Sequence, residues 1–213
     1  MMQIFGADQA VKFEIDTNLI TSIPGFAAKV GEVAAAWART EVNIGIYFGI
    51  MLGVEPAAAV KKMERRSAYS ITRELEGLIA ALPPAHQPHI SSIIAELDRV
   101  RGERNCLQHD LWARRPGEDG VLYAVNAKTI LRALLDISEP VTHGVMEASA
   151  AGHSSYVAEK VADDATNAFT VKRLQSLREH IDAVGDDLYR AFCHALAEKA
   201  VEKLGVSKPM PSL

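Results

Sequence analysis

Arg104 and His109 stand five residues apart in the run Arg-Asn-Cys-Leu-Gln-His, and they are the residue types best suited to act on a phosphodiester. An arginine offers a permanently charged planar fork for two phosphate oxygens, and a histidine carries or takes up a proton near neutral pH. Asn105 adds an amide that can orient either group by hydrogen bonding. At about 100° per helical residue, Asn105 and His109 lie about 40° apart, as do Arg101 and Asn105, with Arg104 about 100° from Asn105 on the same side. On a helix, Arg101, Arg104, Asn105 and His109 therefore make one patch at the border of an apolar stripe.

Arg104 falls in a slot of that stripe, where an uncompensated guanidinium would be costly, so the fold must supply an acidic partner or an opening. Glu41, one turn beyond Trp37 on an otherwise apolar stretch, is the candidate structural partner. With it, Arg104, Asn105 and His109 brace helices and catalyse nothing. With an opening instead, they clamp a phosphate and move a proton. Residue types and spacing leave both readings standing.

Other chemistries lack their residues. There is no Gly-x-Gly-x-x-Gly, no Gly-Lys-Ser/Thr phosphate loop and no Gly-x-Ser-x-Gly. Cys106 and Cys193 have no paired spacing, which suits reduced thiols in the cytoplasm. His86 and His89 are separated by Gln87-Pro88, which puts them in a loop or at a helix start with no carboxylate or thiol ligand close in sequence. No metal and no cofactor is expected. His143, His153, His180 and His194 have no motif around them and are expected at the surface or half-buried.

Long helices must position the patch. Val30, Val33, Trp37, Ile44, Phe48 and Met51 recur at helical spacing up to Gly53 and Pro56, and Val60, Met63, Ile71, Leu75, Leu78 and Leu82 predict a second helix of comparable length, stopped by Pro83 and Pro84. A third, from Gln87 to Trp112, carries Ile90, Ile93, Leu97, Val100, Leu107 and Leu111 and places the Arg104 to His109 run near its end. The turn-rich Arg115-Pro-Gly-Glu-Asp-Gly120 then separates Leu111-Trp112 from Val121-Leu-Tyr-Ala-Val125, the two arms of a hairpin. Thr170 is placed to cap a last helix carrying Val171, Leu174, Leu177, Ile181, Val184, Leu188, Phe192 and Leu196.

Residues 1–22 show no clear period and read as an N-terminal arm. Residues 128–167 form an uncertain inserted subregion, helical over Thr129 to Ile137, with Tyr156 to Val161 either strand or helix. The expected fold is all-α, an up-and-down helical bundle with a small appended β-hairpin, built as a single domain over 1–213.

The Arg104-Asn105 pair followed by three residues and His109, late in a long helix with Leu111-Trp112 opening a turn, resembles the motif of the HEPN superfamily (higher eukaryotes and prokaryotes nucleotide-binding). The resemblance covers roughly Phe26 to Trp112 and Thr170 to Leu196, with Asp110 standing where many relatives have glycine. It implies a compact dimeric helical protein and a metal-independent endoribonuclease, often a toxin or phage-defence component. It assigns Arg104 as phosphate clamp, Asn105 as orienting group and His109 as general acid or base. The reaction implied is attack of a ribose 2′-hydroxyl on the adjacent phosphodiester, leaving a 2′,3′-cyclic phosphate. The alternative is a non-catalytic module of the same kind that binds RNA or a nucleotide, or that docks a protein such as an antitoxin or another regulatory partner.

Charge and composition set the remaining bounds. The chain has 213 residues, 48% apolar and 23% charged, which excludes a disordered or collagen-like polymer. Its 23 Lys+Arg against 27 Asp+Glu do not advertise a nucleic-acid binder globally. Two basic islands nevertheless stand on the acidic body: Lys61, Lys62, Arg65 and Arg66, and the segment from Asp98 to Arg115 with Arg99, Arg101, Arg104, Arg114 and Arg115. Lys61, Lys62, Arg65, Arg66, Arg101, Arg114 and Arg115 are the candidate contacts to an RNA backbone. The most apolar window, Val42 to Val54, is about 13 residues where a membrane span needs roughly 20, so no membrane is expected.

Overall fold

The computed structural model describes residues 1–8, 10–64, 66–82, 84–142 and 150–204. The chain divides into two compact units, one formed by 1–33 with 102–177 and the other by 34–101 with 178–213.

The first unit is built on a sheet. Strands β1 (Met2–Phe5), β2 (Val11–Ile15), β3 (Leu111–Arg114), β4 (Leu122–Val125) and β5 (Asn167–Phe169) lie side by side in chain order, every pair antiparallel. The all-α expectation with only a small hairpin is therefore wrong: the β3–β4 hairpin is present, but it is the centre of a five-stranded sheet. The N-terminal arm of 1–22 is corrected with it, since it supplies β1, β2 and the one-turn helix α1 (Leu19–Ser22). Its signal is the alternation Lys12, Phe13, Glu14, Ile15, which puts Phe13 and Ile15 inside, over too few residues to stand out in the sequence. β1 pairs with its neighbour β2, and β2 is tied to the rest of the sheet far along the chain, by the pairing of Glu14 with Arg114 and Ile15 with Ala113.

Between β2 and β3 the chain makes helices α2 (Phe26–Leu52), α3 (Pro56–Met63), α4 (Ala68–Leu78) and α5 (Gln87–His109). Between β4 and β5 it makes α6 (Ala127–Thr142) and α7 (Ala150–Asp164). The subregion 128–167 thus belongs to the sheet unit. Tyr156 to Val161 is helix, and Val157, Ala158 and Val161 pack with Ile4, Phe13, Ile15, Ala113, Tyr123, Val125, Ile130 and Ala133 against one face of the sheet. All four residues of β4 are buried, as expected of a strand covered on both faces. On the other face Trp112 stands edge-on to Phe26 at 5.3 Å and to Phe169 at 5.9 Å.

The second unit is helical. Ile44, Tyr47 and Phe48 of α2, Ile71 and Leu75 of α4, Ile90, Ile93, Ile94 and Leu97 of α5, and Val184 and Leu188 of α8 (Val171–Leu204) share one core. Each such fully buried side chain contributes about 1.5–3 kcal/mol of transfer free energy. The single second helix expected from Val60 to Leu82 is in fact two. Ser67 takes extended backbone and its hydroxyl accepts the N–H of Ser70 at 3.2 Å, starting α4 afresh after α3 has ended at Met63. The long third helix ends at His109 rather than Trp112, because Leu111 and Trp112 are taken by the sheet. Thr170 caps α8 as its sequence predicts, accepting the Arg173 N–H at 3.1 Å. Among the described residues no helix is long and apolar enough to cross a membrane.

Candidate functional site

The end of α5 is held from both sides of the sequence. Buried Leu107 anchors the last turn, the Asp110 N–H closes it on the Cys106 carbonyl at 3.3 Å, and the chain passes directly into β3. Arg104, Asn105 and His109 therefore project from a short helical segment fixed to the sheet. Arg104 is half-buried, and its Nη1 donates to Asn105 Oδ1 at 3.1 Å. Asn105 is also half-buried, whereas His109, the last residue of the helix, is exposed. The amide thus fixes the arginine fork while the imidazole faces water.

Beside this trio stand Cys106 and Asp110, both evident in the sequence, together with Asn167 and Asp164, which the sequence pattern did not mark. Asn167 of β5 donates from Nδ2 to the Cys106 Sγ at 3.8 Å, and the Sγ donates to the Gly102 carbonyl at 3.4 Å. Burial pushes the Cys106 thiol up, and the charge and hydrogen bond of Asp110 push it the same way, which disfavours the thiolate. Burial also raises the Asp110 carboxyl, with Asp164 adding to the effect, against the Cys106 bond and His109, which lower it. Asp164 is held by the Asn126 N–H at 2.6 Å. Only the pairing of β4 with β5 brings Asn167 to this place, and no local sequence signal foretells it.

Glu41 lies in the helical unit, exposed, and accepts the indole N–H of Trp37 at 2.8 Å. The basic residues are mostly engaged within the fold. Arg101 reaches Asp98 at 3.3 Å and lies over the Tyr69 ring at 4.6 Å. Arg114 pairs with Glu14, its cross-strand partner, at 2.5 Å. Arg115 lies over Tyr123 at 4.5 Å, with Glu118 at 3.7 Å. Arg66 pairs with Glu74 at 2.7 Å and donates to the Ser70 carbonyl at 3.1 Å. Lys61 and Lys62 are exposed in the last turn of α3, where they also complement the helix dipole. Arg65 and His143 lie outside the described residues.

One arrangement of metal-ligating groups is present among the described residues: His86, His194 and Glu198 each offer a donor atom within 4.8 Å of the others. His194 and Glu198 are four apart on α8, a spacing visible in the sequence but meaningful only once His86 arrives beside them. Searches against family models, curated proteins and solved structures find no match to this chain.

Proposed function

We propose that the chain is a HEPN-like, metal-independent endoribonuclease acting through Arg104, Asn105 and His109. The observation that carries the reading is the Arg104 guanidinium hydrogen-bonded to Asn105, with exposed His109 one turn on in the same helix. His109 takes the proton of a ribose 2′-hydroxyl, the 2′-oxygen attacks the adjacent phosphorus, and the 5′-oxygen leaves. Arg104 meets the charge that grows on the phosphoryl oxygens, and Asn105 keeps its fork from turning away. The products are a 2′,3′-cyclic phosphate and a 5′-hydroxyl. Two copies related by a two-fold axis would double the set, so that a second His109 could protonate the leaving oxygen. Lys61 and Lys62 supply backbone contacts, and such a nuclease fits a cytoplasmic toxin or phage-defence role under the control of an antitoxin or other regulatory protein.

Removal of the proton carrier tests this. His109→Ala should lose cleavage of a mixed RNA pool in the presence of chelator, with its circular dichroism unchanged because His109 is exposed. Cleavage by the variant at the original rate would remove His109 from the mechanism. A second reading rests on the half-burial of Arg104: the same trio binds RNA or a nucleotide without cutting it. In that case the original protein retains RNA on a filter and leaves it intact, and His109→Ala changes retention only modestly.

A further inference from the structure

We propose that His86, His194 and Glu198 form a binding site for a divalent transition metal ion, zinc by the chemistry of its donors, within the helical unit. The site is independent of the phosphate chemistry assigned to Arg104, Asn105 and His109.

The geometry comes from two elements. His194 and Glu198 sit four residues apart on α8, so their side chains rise from the same helical face. His86 precedes α5 and brings its Nε2 to 3.2 Å from Glu198 Oε1, across 112 residues of sequence. His194 Nδ1 is 3.8 Å from the same oxygen, and the two imidazole centroids are 5.4 Å apart. Zinc holds nitrogen and carboxylate oxygen at about 2.0–2.2 Å, which places tetrahedral donors roughly 3.3–3.5 Å from one another. Donor atoms already within 4.8 Å reach that spacing by small side-chain rotations.

The donor set is selective. Two imidazoles and one carboxylate match zinc and its transition-metal neighbours, whereas magnesium and calcium prefer oxygen alone. The carboxylate also offsets part of the ion's charge, and Arg190, the cation on the same wall, is drawn to Asp187 at 3.1 Å. The three ligands line a cavity of about 350 Å³ shared with Tyr47, Leu82 and His89. Three protein ligands leave a fourth position toward this cavity, for water or for His89. Such an ion would fasten the start of α5 to α8, so its binding free energy would add to the stability of the folded chain.

The test uses untagged full-length protein, stripped with chelator and dialysed. Zinc chloride is titrated in competition with a chromophoric chelator, and cobalt chloride is followed by its visible absorption. We expect one equivalent per chain, an intense four-coordinate cobalt spectrum, and a rise in melting temperature with zinc. His86→Ala, His194→Ala and Glu198→Gln should each weaken binding at least about 10–100-fold, the range seen even for groups one shell removed from a metal. His180→Ala, on the same helix but bonded to Glu96 and Arg99, should bind as the original does. Uptake below one equivalent, or uptake equal in the original and all three ligand variants, would overturn the proposal. Should a ligand variant fail to fold, the cobalt spectrum of the original protein still decides, because weak six-coordinate bands would also overturn it.

Discussion

Asp110 follows His109 directly, and burial raises its carboxyl above the ordinary range. A carboxyl raised by folding binds more protons in the native state than in the unfolded one. Its contribution to stability is therefore most favourable below the ordinary carboxylate pKa and is lost as pH rises toward the folded value. Asp110→Asn keeps an acceptor for Cys106 and removes the charge, so we expect equal or higher stability at pH 7 and no gain at pH 3, measured by urea unfolding. The same change should tighten RNA binding, since a negative charge beside the proposed phosphate site is removed. A destabilised variant at pH 7 would show that the ionised form is the one the fold prefers. Arg104→Lys addresses the other side of the site. It keeps the charge and loses the fork held by Asn105, so cleavage should fall at least about tenfold, the factor for the loss of one charge-assisted hydrogen bond near 1.4 kcal/mol. Equal rates would mean that charge alone matters there. At this scale the Arg104–Asn105 contact was legible in the sequence because it is local, whereas the approach of His86 to His194 and Glu198 was not, its members being drawn from distant segments.

Helices α2 and α8 meet closely at one glycine. A side chain at Gly185 would place its Cβ 2.8 Å from the Thr40 hydroxyl, and Thr40 is fully buried with that hydroxyl donating to the Ala36 carbonyl at 3.1 Å. The Gly185 carbonyl also accepts from Asn43 at 3.1 Å. Helix propensity alone would favour Gly185→Ala by about 1 kcal/mol, but overpacking against a stiff β-branched neighbour costs about 1–3 kcal/mol. We expect the clash to win, with a net destabilisation of up to about 2 kcal/mol in thermal or urea unfolding; a stabilised variant would show that the helices separate at little cost. The helices themselves could be read from the sequence because each repeats its apolar residues over several turns. Strands β1, β2 and β5 could not, since each is three to five residues long, and β2 and β5 pair with strands remote in the chain. The break between α3 and α4 was hidden because apolar residues keep helical spacing across it, and only the Ser67 cap marks it.

At the scale of the whole molecule, the basic islands are less cationic than their composition suggests. Glu14, Glu74, Asp98 and Glu118 each pair with an arginine counted toward RNA contact, so the arginines serve the fold as much as any polyanion. The Asp98 and Glu118 partners lie three residues from their arginines and could be read from the sequence, whereas the pairing of Arg114 with Glu14 crosses strands and could not. On the proposed function few of these cations are left for phosphate contact, so the salt dependence of any RNA affinity should be correspondingly shallow. The central claim is that RNA is cut through its own 2′-hydroxyl, and the most direct measurement is end-group analysis after incubation in chelator with an RNA and with the same RNA carrying a 2′-deoxy residue at the cleaved position. The account predicts 2′,3′-cyclic phosphate and 5′-hydroxyl ends from the first and no cut at the substituted position in the second. Fragments with 3′-hydroxyl and 5′-phosphate ends, or cleavage at the deoxy position, would contradict it.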